Sequence, residues 1–181
     1  MHVGVGLKAV VLGLAVALAL IAGWTDWRSR RIPNWLTVPG LLIGIAANTA
    51  AWGWQGAKSS LLGAALGLVL LLPLAMVRGI GMGDLKFASA SGAFLGPEHL
   101  LTVLLASVFV NGAMAFVLAV YKGRLLEVLR NIGKMLASLA HLRLPGPEFT
   151  IDNPNALKIP YGVALAFTIV LYAVARVRGA V

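Results

Sequence analysis

The sequence predicts an all-α protein, a polytopic membrane helical bundle of about six transmembrane helices, forming one domain over residues 1–181. Three observations carry this. Hydrophobic residues make up 60% of the 181 and charged residues only 12%, against roughly 45–50% apolar in soluble domains. Mean hydropathy is +0.91. The apolar residues gather into six runs, at about 3–24, 34–51, 59–77, 84–95, 100–121 and 159–175. A soluble domain of this length has no interior large enough for so much apolar surface. The bilayer must be the solvent, and helices satisfy their own backbone groups there.

The first run combines Lys8, an apolar stretch and small residues near Ala22 and Gly23, the outline of a signal peptide. It is long for one, and Arg28, Arg30 and Arg31 follow it and would resist export. An uncleaved helix with its N-terminus outside is expected. The second run opens at Ile32-Pro33-Asn34. Proline favours exit from one helix, and Asn34 is expected to cap the next, with a bond into a site as the other option. The fourth run is short, roughly 12–13 residues against the ~20 of a full span. It either begins inside a protein-lined cavity or continues through a turn at Gly96-Pro97.

Lys and Arg set the orientation. Eleven of them fall in alternate links: Arg28, Arg30 and Arg31; Arg78 and Lys86; then Lys122, Arg124, Arg130, Lys134, Arg143 and Lys158. The other side holds four, Lys8, Lys58, Arg176 and Arg178. The positive-inside rule places the eleven in the cytoplasm and both termini outside.

Within the long link at about 122–158, apolar residues recur at Leu125, Val128, Leu129, Ile132, Met135, Leu136 and Leu139, opposite Arg124, Glu127, Arg130 and Lys134. This helical period with a basic face fits a helix on the inner membrane surface, contacting lipid. A soluble helix packed on the domain fits the same pattern. The turn-rich stretch from Leu144 to Asn155 reads as a connector, or as a cover over a site. Gly63, Ala64, Gly67 and Gly92 belong to the small residues that let membrane helices approach closely.

Several function classes drop out. The net charge of +9 could suggest nucleic acid, but the basic residues cluster in links, as a topology signal does, so no nucleic-acid partner is expected. Cysteine is absent, which removes thiolate nucleophiles, thiolate metal sites and disulfides. His2, His99 and His141 are far apart and form no metal signature. Neither a metal nor a cofactor is expected.

What remains is acid. The chain has only six acidic residues, and Asp26 and Asp84 sit at the edges of apolar runs. The charge count puts both on the cytoplasmic side. A carboxylate at a bilayer edge is costly and usually kept for function. Two that share a site can hydrolyse a peptide bond. One takes a proton from water while the other, protonated, donates a hydrogen bond to the scissile carbonyl. Such a pair titrates as a unit. Structural roles are also open to each. Asp84 could cap the N-terminus of the next helix, and Asp26 could pair with Arg28, Arg30 or Arg31 for roughly 0–1 kcal/mol. Gly79, Gly81 and Gly83 permit backbone geometry closed to other residues and let a substrate backbone approach. Lys86 is expected to snorkel to the interface, or else to hold negative charge near Asp84.

Asp26-x-Arg28 with Ile32-Pro33-Asn34, Gly81-Met82-Gly83-Asp84-x-Lys86, and Ile159-Pro160-Tyr161-Gly162 occur in that order. The ordered set resembles the type IV prepilin peptidases, GxGD-type membrane aspartic proteases, and the resemblance covers essentially the whole chain. It implies that Asp26 and Asp84 are catalytic, with Arg28, Pro33, Asn34, Gly81, Gly83, Lys86, Pro160, Tyr161 and Gly162 as supporting motif residues. It implies cleavage of prepilin-like or preflagellin-like precursors, with a basic leader and an apolar helix, at the cytoplasmic face of the cell membrane. Larger bacterial members carry a paired-cysteine segment between the first two helices and also N-methylate the product. Here that link is minimal and cysteine-free, so the expectation is a peptidase without N-methyltransferase activity. The chain is similar to the small members that serve tight-adherence (Flp-type) pili, or to archaeal preflagellin peptidases.

Three other readings fit the composition less well. A non-catalytic scaffold of pilus or secretion assembly would not need both aspartates. A proton-relay transporter would place acids deep within helices, whereas these lie at ends and links. A serine protease would use Ser89 or Ser91, but no Gly-x-Ser-x-Gly elbow is present and His99 falls on the opposite side.

Overall fold

The computed structural model describes residues 2–140 and 159–179. Among these, helix α1 spans His2–Ser29, α2 Asn34–Met76, α3 Met82–Tyr121, α4 Leu125–Ala140 and α5 Tyr161–Val177. The six apolar runs are all helical. The turn-rich stretch after residue 142 lies outside the described residues.

Two of the links expected between runs are nearly absent. In α2 only Trp52 (φ −132°, ψ 16°) and Gly53 (φ 57°, ψ −139°) leave helical geometry, and in α3 only Gly96 (φ 76°, ψ 172°) does. Each break nonetheless reverses the chain. The Ser60 hydroxyl lies 3.5 Å from the Gly44 carbonyl oxygen, 16 residues away, whereas a straight helix at ~1.5 Å per residue would separate them by roughly 24 Å. The breaks fall at glycines because L-residues with a side chain rarely adopt a positive φ. Proline follows at position 97, where its missing N–H costs nothing in a new first turn. α2 and α3 are therefore helical hairpins with two arms each. With α1 and α5 they make six apolar segments of a membrane bundle, and α4 packs only lightly, on α3.

The two hairpins are the most extensively packed pair, and α1 packs on α5. Small residues set the hairpin contact. A Cβ on Gly63 would lie 2.1 Å from the Gly92 oxygen, and one on Gly92 would lie 2.2 Å from the Gly63 oxygen. A Cβ on Gly67 would meet the Ala88 backbone at 2.9 Å. Backbones this close leave no room for a side chain. Polar groups join the same seam. Asn48 donates to the Ala93 oxygen at 2.7 Å, Ser60 to the same oxygen at 2.6 Å, and Ser89 to the Ala64 oxygen at 3.0 Å. Replacing Gly92 by Leu is expected to force the arms apart and destabilise the protein by about 3 kcal/mol. Thermal unfolding in detergent checks this, and an unchanged midpoint would contradict it.

The short fourth run resolves in favour of a protein-lined environment. From Phe87 to Gly96 every residue of the first arm of α3 is buried. An arm enclosed by other helices need not match the bilayer thickness. Lipid-facing length is supplied elsewhere. Three helical stretches, Gly6–Ser29, Asn34–Met76 and Pro97–Tyr121, are long and apolar enough to cross, and Tyr161–Val177 is a shorter apolar helix. Their outer faces expose Leu42, Val69, Leu105, Phe109 and Val117. The tryptophans fall in two belts. Trp24, Trp27 and Trp35 are exposed where α1 ends and α2 begins, and Trp52 and Trp54 are exposed at the α2 break, as amphipathic rings at the two bilayer interfaces would be. At the second belt Arg176 bonds His99 and Tyr172, tying α5 to α3.

Candidate active site

At the end opposite that belt, the last turn of α1, the α1–α2 link, the start of α3 and the start of α5 converge. Asp26 is one helical turn from the end of α1. Its residue is only 6% exposed, a high degree of burial for a carboxylate. Its Oδ2 accepts the Val163 backbone N–H at 3.2 Å, and the Gly162 N–H also faces it. Both N–H groups belong to the first turn of α5, where aligned peptide dipoles favour an anion, and the Val163 N–H is shared between Asp26 and the Pro160 carbonyl oxygen, each at 3.2 Å. Arg30 is close enough for its charge to act on Asp26. Arg30 closes α1 in the left-handed region (φ 54°), its N–H bonded to the Asp26 carbonyl at 2.8 Å.

Asp84 is the third residue of α3, and its Oδ2 accepts the Gly81 N–H at 3.3 Å. The capping role open to it from the sequence is thus occupied, and it coexists with a place in the site. Asp84 lies within reach of the charge of Asp26, and the Gly162 N–H faces both carboxylates. Both line one cleft of about 400 Å³, walled by the link from Arg30 to Asn34 and by Gly81 to Asp84.

The glycines act by closeness, contrary to the expectation of unusual backbone geometry. Gly79, Gly81 and Gly83 are absent from the positive-φ residues. A Cβ on Gly83 would lie 3.2 Å from the Ile32 oxygen, and one on Gly81 would lie 3.1 Å from Asp84 Oδ2. Gly83 lets the start of α3 lie against the α1–α2 link. Gly162 is more constrained. A Cβ there would lie 2.7 Å from Ile32 Cδ1 and 2.9 Å from Asp26 Oδ2.

Two polar residues differ from expectation. Asn34 does not cap α2. Pro33 occupies the cap position in an extended conformation (φ −75°, ψ 149°) with no side-chain cap bond. The Asn34 Oδ1 instead accepts from Lys86 Nζ at 2.9 Å. Lys86 therefore does not simply snorkel to lipid headgroups. The bond ties the helix that follows Asp26 to the helix that carries Asp84. Its geometry is open to solvent, so its worth is modest. Lys86→Met is expected to lower turnover roughly fivefold, the equivalent of about 1 kcal/mol, and turnover equal to wild type would return Lys86 to the role of an interfacial lysine.

Arg28 is exposed in the last turn of α1, where a cation complements the helix C-terminus, and it is not among the cleft-lining residues. Pro160 is buried at the cap of α5. Tyr161 opens that helix and meets Ser107, its hydroxyl oxygen 3.2 Å from the Ser107 Oγ. Ser107 and the Val163 N–H were not singled out from the sequence. A lone serine in an apolar run and a backbone donor carry no distinguishing signal. Ser89 bonds within the α2–α3 seam and His99 lies at the far end with Arg176, so these two are not brought together.

Two carboxylates facing one cleft, one held by the first turn of a helix, can activate a water and polarise a carbonyl between them.

A family model described as the type IV leader peptidase family matches residues 13–116. Three similar proteins carry the name prepilin leader peptidase/N-methyltransferase. The one from Burkholderia pseudomallei is 34% identical over 128 residues, covering 66% of this chain and 40% of its own length. Those from Xanthomonas campestris and Neisseria gonorrhoeae are 32% and 30% identical, again over 66% of this chain and over 42% and 44% of theirs. The chain thus spans less than half the length of these relatives. No solved structure matches it.

Proposed function

The chain belongs to the type IV leader peptidase family, and on that premise we propose that it is a prepilin leader peptidase, an aspartic endopeptidase in which Asp26 and Asp84 form the catalytic dyad. The observation that carries the proposal is the convergence of both carboxylates on one cleft, under the Gly162 N–H.

The substrate is a pilin-like or preflagellin-like precursor, its apolar helix in the bilayer and its basic leader in the cytoplasm. The scissile peptide enters the cleft as extended backbone, where Gly81 and Gly83 present no side chain. One carboxylate takes a proton from water as the water oxygen bonds to the scissile carbonyl carbon. The other donates its proton to the carbonyl oxygen, giving a neutral tetrahedral diol. Collapse breaks the C–N bond, and a proton passes to the leaving amine. The pair works as a unit, with the acid and base roles exchanged during the cycle.

Placement of the cleft at the inner face of the cell membrane is supported by the eleven basic residues of the alternate links. Residues 1–181 act as one peptidase domain. α4 lies on the membrane surface, supported by the exposed Leu126, Leu129 and Ile132 and the exposed Arg130 beside them. The reading is of cleavage without N-methylation, since the link between Asp26 and Asn34 is minimal and the chain has no cysteine. The tight-adherence pilins and archaeal preflagellins are the substrate classes to test.

The test is direct. Membranes containing this chain are incubated with prepilin-like precursors of both classes, and the new N-termini are read by mass spectrometry. Cleavage at the border between leader and apolar helix is expected. Failure to process any of them would overturn the proposal.

A further inference from the structure

Ser107 lies on the second arm of α3 and is fully buried, 0% exposed. Its single proton goes to the Leu104 carbonyl oxygen at 2.7 Å. Its lone pairs therefore receive the Tyr161 hydroxyl, so Tyr161 is the donor in that bond. Tyr161 is the first residue of α5, and the backbone N–H groups of the next two residues face Asp26. The charge of Asp84 also reaches Tyr161. A chain of contacts thus runs from the second arm of α3 through Ser107 and Tyr161 to the donors that hold Asp26. The first arm of the same hairpin carries Asp84. One hairpin consequently sets the position of one carboxylate directly and of the other through α5.

We propose that Ser107 is a positioning residue of the dyad, acting through Tyr161 on the helix end that orients Asp26; the inference rests on the aspartic-peptidase reading above. Removing the Ser107 oxygen leaves the half-buried Tyr161 hydroxyl without its acceptor. The tyrosine moves to find one, and the first turn of α5 moves with it.

The experiment measures kcat and KM for cleavage of a processed precursor by detergent-solubilised enzyme. Ser107→Ala is expected to lower kcat about tenfold or more with KM unchanged, since small displacements of a catalytic group are costly. Ser107→Cys keeps a side chain of similar shape, somewhat larger, but offers a weak acceptor, and is expected to lose a similar factor, with its thermal midpoint reporting any packing defect. Tyr161→Phe removes the donor. Adding Ser107→Ala to it is expected to cost nothing further, because the two residues act through one bond. Wild-type kcat in both Ser107 variants would overturn the proposal. So would losses that multiply in the double variant, or a fall in thermal stability alone. Asp26→Asn and Asp84→Asn run alongside. If these cleave normally, the aspartic reading itself has failed. If they are inactive while the Ser107 variants are normal, only the positioning role has.

Discussion

Asn in place of Asp26 or Asp84 is expected to lower leader cleavage by a factor on the order of 10³–10⁴ for each substitution, the upper range for loss of a general acid or base. The amide is nearly the size of the carboxylate, so packing is retained. It can neither take the water's proton nor pass one to the leaving amine. Both variants should insert and resist heat like the wild type. Asp26 is the stricter case, because its Oδ2 accepts the Val163 N–H at 3.2 Å. An amide that presents its oxygen there keeps that bond while losing the chemistry. The double variant should be no worse than either single, since the two groups act as a unit. Precursor processing followed on gels in membranes checks this. Normal processing by either single variant would remove the dyad from the mechanism.

Gly162→Ala is expected to lower kcat about a hundredfold without destabilising the fold. The added Cβ would lie 2.9 Å from Asp26 Oδ2 and 3.1 Å from its Cγ, so the carboxylate has to move or rotate. A displacement on the order of 1 Å at a reacting group costs about 10²-fold. Ile32 Cδ1, at 2.7 Å, is the end of a flexible side chain and can yield. The helix itself should not suffer, because Ala is a better helix former than Gly, although at the second residue of α5 the gain falls short of the roughly 1 kcal/mol of a helix interior. A loss of kcat with an unchanged or higher unfolding midpoint separates this local effect from misfolding. Turnover near wild type would mean that Asp26 does not need its present orientation.

The same contrast shows what could be read from the chain before it was folded. Apolar runs identify themselves because each spanning segment answers to lipid along its own length. The six runs and the membrane class were legible for that reason. Asp26 and Asp84 stood out as rare charges at membrane edges. A turn at Gly96-Pro97 was one of the two options open from the sequence, whereas the break at Trp52–Gly53 was less legible, and both are tighter than expected. They occupy one or two residues inside helical geometry, where links of several residues were expected. The misreading of Asn34 has a similar cause. A cap is a local bond inferred from neighbours, while its actual partner, Lys86, is 52 residues away.

Composition and spacing specify what is local: which segments favour lipid, where a helix can turn back, and which carboxylates are placed at an interface. They do not specify which atoms meet across the bundle. Asp26 and Asp84 were first two costly charges on one predicted side. Folding places them on a single cleft and supplies the first turn of α5 as the holder of one of them. It also recruits Ser107, a residue with no signature of its own. Those choices depend on backbones brought close by glycines at 63, 92, 83 and 162. A close approach between distant segments is a property of the packed whole, so only the tertiary structure could decide it.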